Sequence, residues 1–533
     1  MFFDSTYNPY TSLRNTIFAK NGMVATSQPL AAAAGLGILQ QGGNAVDAAI
    51  ATAACLTVVE PTSNGIGSDA FALVWIKGEL FGLNASGPAP MDINIEKVKR
   101  LSHNTMPRHG MLPVVVPGAP AAWAALSNRF GKLSLAQCLQ PAISYAKDGY
   151  PVSPILGKYW HASYNFFAKN FNSDEFKPWF NTFAKNNEAP PIGSLTKLPY
   201  HAKTLQEIGE TNAKSFYNGR LADQIISYCK KYGGFLSKDD LSNYNVSWDM
   251  PISTNYRGYD IWEMPPNTQG IVALIALNIL SGYNFIQKDS EYTLHKQFEA
   301  IKLAFKEGKA AITDPLHMKV SVQELLSPEY AEKLRSKINN TATAIKTDQN
   351  SGGTVYLATA DAFGNMVSFI QSNYMGFGSG MVVPETGISL SNRGADFSLE
   401  QSHVNALLGG KKSYHTIMPG FITKNGEALG PFGVMGGYMQ PQGHVQVVMN
   451  SIDFKLNPQM SLDAPRWQWI SQNDFQVEGH FPMHIAKELT KKGHKLQIML
   501  DSGSFGRGQI IWNIDGVLAG GTESRADGHI AAF

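Results

Sequence analysis

Charged residues are scarce and balanced in this chain of 533 residues, at 16% of the total with 44 basic and 42 acidic side chains. No block of Lys or Arg stands out, and the formal net charge is only +2. Proteins that bind nucleic acid or anionic membrane surfaces usually carry a concentrated basic patch. We therefore expect neither kind of partner.

Cysteine is also rare. Cys55, Cys138 and Cys229 lie far apart and form no C-x-x-C pair, which predicts buried thiols in a reducing compartment. Residues 1–9 lack the charged start and apolar core of a secretory signal. We therefore predict a cytoplasmic location.

Long apolar runs are missing as well. The longest nearly apolar stretch, 45–59, is interrupted by Asp47 and Thr52. It is shorter than the roughly 20 residues that a membrane-spanning helix needs. We predict a buried helix with Asn44 as its N-cap, and no span of a membrane.

Several catalytic and cofactor motifs are absent, among them G-x-S-x-G, the P-loop and H-E-x-x-H. Residues 65–70 fit a loose G-x-G-x-x-A pattern, but they follow a predicted helix rather than a strand, which argues against dinucleotide binding. His295 and Glu299 are one helical turn apart and offer too few ligands for a metal, so we interpret them as a contact on a helix surface. We expect no cofactor and no metal.

The pattern that is present predicts helices first and strands last. Helical spacing covers 29–41, 45–59, 119–148, 220–232, 271–280 and 295–312. A strand pair is predicted over 71–83, and β-hairpins are predicted around 363–365, 425–426 and 515–516. This order indicates an α+β fold. Residues 161–191, rich in Asn, Phe and Lys, are predicted to form a surface insertion over a cleft.

A polar linker precedes the strand-rich part. Residues 339–353 show no apolar periodicity and end in Gly352-Gly353, directly before Thr354. A cut between Gly353 and Thr354 would give the Thr354 hydroxyl a base of its own, the freed α-amino group, whose usual pKa is about 7.7–8.0. The alternative is an ordinary threonine at the start of a strand.

Motifs spread over residues 20–530 identify a family. The chain resembles the γ-glutamyltransferase (glutathione hydrolase) family, in the branch without an export signal. The matching segments are 22–26, 42–49, 59–67, 116–118, 256–259, 371–374, 378–380, 386–388, 396–398, 435–437, 440–444, 450–453 and 464–466. The resemblance implies an N-terminal nucleophile hydrolase with a four-layer αββα sandwich. It also implies self-cleavage into a large subunit, 1–353, and a small subunit, 354–533, which form one intertwined domain.

The resemblance also assigns roles. Thr354 aligns with the nucleophile and, with Gly353, with the cleavage site. Gly436-Gly437 aligns with the oxyanion hole, and Ser372 with a hydroxyl that contacts the nucleophile. Asp396 aligns with the carboxylate that holds the substrate's α-ammonium group.

Several positions depart from the family pattern. Ser86 stands where the family has an Arg for the substrate's α-carboxylate. We hypothesise that Arg393 takes over that carboxylate. His415-Thr416 replaces a pair of serines in the binding pocket; Thr416 keeps a hydroxyl, whereas His415 adds a titratable group. Gly353 offers no side chain to assist the cut, so we predict slow self-cleavage.

Three functions remain open from the sequence. The first is a γ-glutamyl hydrolase or transferase that acts on amides such as glutathione and passes the acyl group to water, an amino acid or a peptide. The second is an amide acylase with a different acyl group. The third is a catalytically silent relative used for binding. Homo-oligomerisation is also left open.

Overall fold

The computed structural model describes residues 14–346 and 352–533. Two seven-stranded sheets lie face to face, and helices cover the outer face of each. The prediction about residues 1–9, and residues 347–351 of the predicted linker, lie outside the described residues. The predicted α+β class and αββα layering are confirmed.

The strands of the described residues are short to medium in length. They are β1 (Ile17–Ala19), β2 (Gly22–Thr26), β3 (Asp69–Ile76), β4 (Glu79–Ala85), β5 (Tyr150–Pro151), β6 (Leu195–Thr196), β7 (Ser247–Asp249), β8 (Ile252–Tyr256), β9 (Tyr259–Glu263), β10 (Gly353–Asp361), β11 (Met366–Tyr374), β12 (Gly420–Lys424), β13 (Glu427–Met435), β14 (Trp467–Ser471), β15 (Asp474–Glu478), β16 (Lys495–Met499), β17 (Arg507–Ile514), β18 (Val517–Thr522) and β19 (His529–Ala532).

The α-helices fall mostly in the first two-thirds of the chain. They are α1 (Pro29–Gln40), α2 (Ala45–Val59), α3 (Ile95–Arg100), α4 (Ala119–Phe130), α5 (Leu135–Asp148), α6 (Pro154–Asn170), α7 (Lys177–Phe183), α8 (Pro199–Thr211), α9 (Lys214–Asn218), α10 (Arg220–Lys231), α11 (Lys238–Ser242), α12 (Gly270–Leu280), α13 (Glu291–Ala311), α14 (Val322–Leu325), α15 (Pro328–Arg335), α16 (Met439–Ile452), α17 (Pro458–Asp463) and α18 (Met483–Lys491).

The strand order interleaves early and late parts of the chain. One sheet runs β19-β2-β10-β11-β3-β4-β7 and the other β1-β18-β17-β13-β12-β9-β8. The apolar layer between the sheets includes Phe71, Tyr356, Met366, Phe421 and Ile511, all nearly or fully buried. Strand β10, which begins at the predicted cleavage site, is therefore a central strand, held by β2 on one side and β11 on the other.

Local chemistry explains the elements that were predicted correctly. The hairpin at Asp515-Gly516 has positive φ at both residues, 52° and 83°, and Asn425-Gly426 repeats this with 54° and 81°. Such turns match the twist of the strands they join. Helix α2 begins with a capping box, in which the Asn44 side chain accepts from the Asp47 amide and the Asp47 carboxylate accepts from the Asn44 amide.

The segment 161–191 differs from its prediction as a surface insertion. It belongs mainly to α6 and α7, and Phe167, Trp179 and Phe183 are buried in the core that covers the first sheet. The Phe167 and Trp179 rings stack at 4.3 Å. Other residues of α6 line a cleft, as predicted, so the segment both closes the core and forms a cavity wall.

Cys55, Cys138 and Cys229 are free and buried, as predicted. Within the described residues, no helix combines the length and the apolar character needed to cross a membrane.

Candidate active site

Thr354 is the second residue of β10, and its side chain is buried, with 1% exposure. The register of the β10–β11 pair shifts at this point, because Gly353 pairs with Tyr374 whereas Val355 pairs with Gln371. Two residues of β11 therefore lie opposite the single Thr354. This irregularity brings the Ser372 side chain to the nucleophile predicted from the sequence.

A short chain of hydrogen bonds links Thr354 to the peptide bond before it. The Thr354 hydroxyl donates to Ser372 Oγ at 3.1 Å, and Ser372 Oγ donates to the Gly353 carbonyl at 2.6 Å. Ser372 Oγ also accepts from the Tyr374 amide at 2.8 Å. With two donors directed at its oxygen, the Ser372 hydroxyl proton is left for the Gly353 carbonyl, which it polarises.

Gly436 and Gly437 lie between β13 and α16, with φ of 141° and 61°. Side chains are strained in this region of φ, which explains two glycines in succession. A Cβ on Gly352 would come within 3.5 Å of the Gly437 Cα, so the predicted oxyanion glycines border the segment that precedes Thr354.

Arg393 is the centre of a buried polar network near Tyr374. Its Nε donates to Asp69 Oδ2 at 3.3 Å and its Nη1 donates to Thr416 Oγ1 at 2.9 Å. Nη1 also lies 3.7 Å from Asp396 Oδ2. The side chain is 1% exposed, and Nη2 is buried without a hydrogen-bond partner among the described residues. One donor of this guanidinium is thus unused.

Asp396 has an unused acceptor next to that donor. Its Oδ1 accepts from the Tyr374 hydroxyl at 2.7 Å and from the Tyr438 hydroxyl at 3.4 Å. Its Oδ2 is buried without a hydrogen bond among the described residues. The Arg393 guanidinium also lies over the Tyr374 ring at 4.2 Å. Asp396 and Arg393 therefore present an acceptor and a donor side by side.

His415 lies behind Arg393. Its Nε2 is 3.0 Å from Asp69 Oδ2, and its Nδ1 accepts from the Ile417 amide at 3.4 Å, so the proton is assigned to Nε2. Burial, and then the neighbouring Arg393 charge, lower the His415 pKa to about 4. The titratable group predicted here is therefore neutral near pH 7, and it helps to orient Asp69.

The sequence did not single out Asp69. This residue opens the apolar strand β3 and is fully buried, and its pattern, one acid before a run of apolar residues, was the only signal that could have marked it. Ser86, which the resemblance aligned with an arginine, is also buried, and its hydroxyl donates to Asn84 Oδ1 at 2.7 Å.

An open cavity of about 840 Å³ adjoins Gly353 and Gly436. Aromatic and methionine side chains provide much of its wall, and its polar residues include Arg108, Asp501 and Arg507. The network of Arg393, Asp396 and Thr416 does not line this cavity, so the two regions are separate.

His295 and Glu299 do not form the helix-surface contact that we predicted, because both are buried. Together with His494 they place ligand atoms within 4.8 Å of one another. The His295 and His494 nitrogens are 2.9 Å apart, and the Lys302 ammonium pairs with Glu299, whereas His494 Nδ1 is buried without a hydrogen-bond partner among the described residues. The Thr343 amide donates to Glu299 at 3.2 Å, which ties the start of the linker to α13.

The chain matches the family model described as gamma-glutamyltranspeptidase over residues 31–533. It is 33% identical to the "Glutathione hydrolase-like YwrD proenzyme" of Bacillus subtilis, covering 97% of this chain and 99% of that one. It is also 33% identical to the "Oxamate amidohydrolase proenzyme" of Klebsiella pneumoniae, covering 96% and 98%.

Among solved structures, the cephalosporin acylase from Bacillus halodurans superimposes with a TM-score of 0.98 at 58% identity, covering 100% of this chain and 99% of that one. The relatives thus include hydrolases and acylases, several of them named as proenzymes. Fold, family model and relatives agree that this chain belongs to the γ-glutamyltranspeptidase family.

Proposed function

We propose that the protein cuts itself between Gly353 and Thr354 and then uses Thr354 to cleave γ-glutamyl amides such as glutathione. The observation that carries the first half is the hydrogen-bond chain from the Thr354 hydroxyl through Ser372 to the Gly353 carbonyl. Nucleophile, donor and carbonyl already lie together in the uncut chain.

Self-cleavage proceeds as an acyl shift. Thr354 Oγ attacks the Gly353 carbonyl carbon while Ser372 donates to the carbonyl oxygen. The C–N bond breaks, the proton lost from Thr354 Oγ passes to the Thr354 nitrogen, and an ester joins Gly353 to Thr354 Oγ. Water then hydrolyses the ester and leaves a Gly353 carboxylate and a free Thr354 amine.

Substrate cleavage reuses the same atoms. The free Thr354 amine accepts the hydroxyl proton, Oγ attacks the substrate carbonyl, and the Gly436 and Gly437 amides stabilise the oxyanion. The proton passes to the departing amine, and the acyl group remains on Oγ. Water completes hydrolysis, whereas an amino acid or peptide amine completes transfer.

An unsatisfied donor and an unsatisfied acceptor in the polar network support the choice of a γ-glutamyl acyl group. Arg393 Nη2 is a buried donor and Asp396 Oδ2 a buried acceptor, and each lacks a hydrogen bond within the described chain. The α-carboxylate and α-ammonium of a γ-glutamyl group would supply both partners. A Cβ on Gly352 would lie 2.8 Å from the Tyr374 carbonyl, so the segment before the cut lies against the residue whose hydroxyl donates to Asp396.

A second candidate is an acylase for acyl groups that end in a carboxylate and lack the ammonium, such as glutaryl. The 58% identity to the solved cephalosporin acylase and the Ser86 substitution favour it. Glutaryl and γ-glutamyl groups differ only in the α-ammonium. The two candidates therefore differ in whether Asp396 contributes to substrate binding.

Gels and paired anilides test the proposal. Purified protein should separate into 1–353 and 354–533, whereas Thr354→Ala should stay whole. The cut enzyme should hydrolyse γ-glutamyl 4-nitroanilide faster than glutaryl 4-nitroanilide, and Arg393→Ala should raise KM for the former about tenfold or more. Since Arg393→Ala has to cut itself to be assayed, its processing serves as the folding control. A wild-type chain that stays whole contradicts self-processing; a preference for glutaryl selects the second candidate.

A further inference from the structure

Arg507 lies close to the candidate oxyanion hole, and strand pairing fixes its position there. It opens β17, and its partner in the register is Met435 of β13, the residue directly before Gly436. Its guanidinium lies 4.5 Å from the centre of the Tyr159 ring, on the wall of the open cavity. Two sheet strands and an aromatic ring therefore position this cation beside the reaction centre.

The Arg507 guanidinium is incompletely satisfied. The residue is 8% exposed, and its Nε is buried without a hydrogen-bond partner among the described residues. Its nearest carboxylate is Glu60, 3.7 Å from Nη1. That distance is too long for a hydrogen bond, so the charge-assisted bonds that an arginine normally makes are not all formed.

The carboxylates near Arg507 have other partners. Glu60 accepts from the Ser27 hydroxyl; burial raises its pKa, whereas the Arg507 charge lowers it. Asp501 lines the same cavity but pairs with Lys158 at 2.8 Å. The cavity therefore favours an anion beside its apolar wall.

The position of the cavity decides which half of a substrate it receives. In the proposed function the acyl half enters the Arg393–Asp396 network, which the cavity does not include. The amine half begins on the other side of the scissile bond and must depart to solvent. The open cavity next to Gly436 therefore receives the amine half.

We propose that Arg507 binds a carboxylate carried by the amine half of the substrate, and the same carboxylate on an amine acceptor. The preferred substrates are then amides of amino acids, peptides or other carboxylated amines, and Tyr159 and the methionines of the wall contact their apolar parts. This inference rests on the proposed function and extends it from the acyl group to the leaving group.

Two anilides with the same acyl group test the inference. The 4-nitroanilide has a neutral leaving amine, whereas the 3-carboxy-4-nitroanilide carries a carboxylate on it. We expect a higher kcat/KM for the carboxylated substrate with the wild-type enzyme. In Arg507→Gln the ratio of the two kcat/KM values should fall about tenfold or more, and Arg507→Lys should restore part of it, since Lys keeps the charge but not the planar fork.

Asp501→Asn is the matched control, because it removes a charge of the opposite sign from the same cavity. It should leave the ratio equal to or above the wild-type ratio. Equal losses on both substrates in Arg507→Gln, or a wild-type enzyme without preference for the carboxylated amine, would overturn the inference. A wild-type chain that cleaves neither anilide contradicts the proposed function instead. If Arg507→Gln does not fold, Arg507→Lys and the wild-type preference still decide the question.

Discussion

Hydrogen bonds from the surrounding residues hold the Ser372 hydroxyl in place. Its Oγ accepts from Thr354 and from the Tyr374 amide and donates to Gly353. Tyr374, whose amide donates to Ser372 Oγ, has φ of 75°, which is uncommon for a residue with a side chain. Backbone geometry thus orients the donor that the proposed self-cleavage uses.

Removing that donor should slow self-cleavage. Ser372→Ala removes one hydrogen bond to the oxygen on which charge develops, and losses of this kind cost about 10²–10³-fold in rate. Timed gel electrophoresis of freshly purified protein measures the effect. Ser368→Ala is the control, since this buried hydroxyl on the same strand contacts Tyr356 instead of the cleavage site. Equal rates for Ser372→Ala and wild type would refute the role.

At the residue scale, the sequence could reveal only those candidate site residues that stand in a local pattern. The roles of Thr354 and Gly436-Gly437 were predicted from the family resemblance, because a hydroxyl after a glycine linker and two adjacent glycines are weak patterns on their own. Asp69 has only the weak signal of one acid before an apolar run, since its importance arises from strand pairing and from contacts with Arg393 and His415, which lie far away in sequence. Long-range contacts of this kind cannot be obtained from local spacing.

At the element scale, α1 shows how helix packing outweighs helix propensity. A Cβ on Gly35 would come within 2.3 Å of Thr52 Oγ1 in α2 and 3.1 Å of the Val24 side chain in β2. A Cβ on Gly37, half a turn further on, would meet only the Gln41 side chain at 4.0 Å. The two glycines share a helix but face different neighbours.

This pair gives a matched test of stability. Gly37→Ala should stabilise the protein by up to about 1 kcal/mol, because alanine favours the helix. Gly35→Ala should destabilise it by about 1–3 kcal/mol, because the new methyl group would force α1 and α2 apart. Urea unfolding of both variants in the uncut Thr354→Ala background measures the difference. A stabilising Gly35→Ala would mean that the helices can move apart freely.

The elements that were predicted well are those with strong local rules. Turn residues fixed the hairpins, and Asn44 fixed the start of α2. The segment 161–191 was misjudged because its Asn and Lys residues suggest a surface, whereas Phe167 and Trp179 decide its packing. Composition averages over a helix, but burial is set by the face each residue occupies.

At the scale of the whole molecule, four buried histidines favour a neutral form. Burial lowers the pKa of His201, His444 and His494 to about 3 and of His415 to about 4, from an ordinary value of 6.5. Unfolded chains bind these protons below about pH 6.5, but the folded protein does not. Acidification therefore favours unfolding until the pH falls through the folded values.

We predict a lower melting temperature at pH 5.5 than at pH 7.5, with a loss of about 1.4 kcal/mol for each of these histidines. Burial raises the pKa of Glu60 and Glu263. These two carboxyl groups change the stability in the opposite direction, but they are fewer than the histidines. Thermal unfolding of Thr354→Ala, an uncut chain, measures the shift. His201→Gln in that background should narrow the difference between the two pH values, whereas His484→Gln, at an exposed position, should not. An unchanged melting temperature would contradict the prediction.

The strand order has a last consequence. If the chain is cut before Thr354, β2 of the first piece lies between β10 and β19 of the second, and β18 of the second pairs with β1 of the first. Neither piece retains a complete sheet alone. Folding before the cut is unimolecular. Refolding after the cut requires the two pieces to associate, so it is bimolecular and becomes slower on dilution. After self-cleavage the native state would thus be kinetically stable. It would form by folding of the intact chain, and slow unfolding would preserve it afterwards.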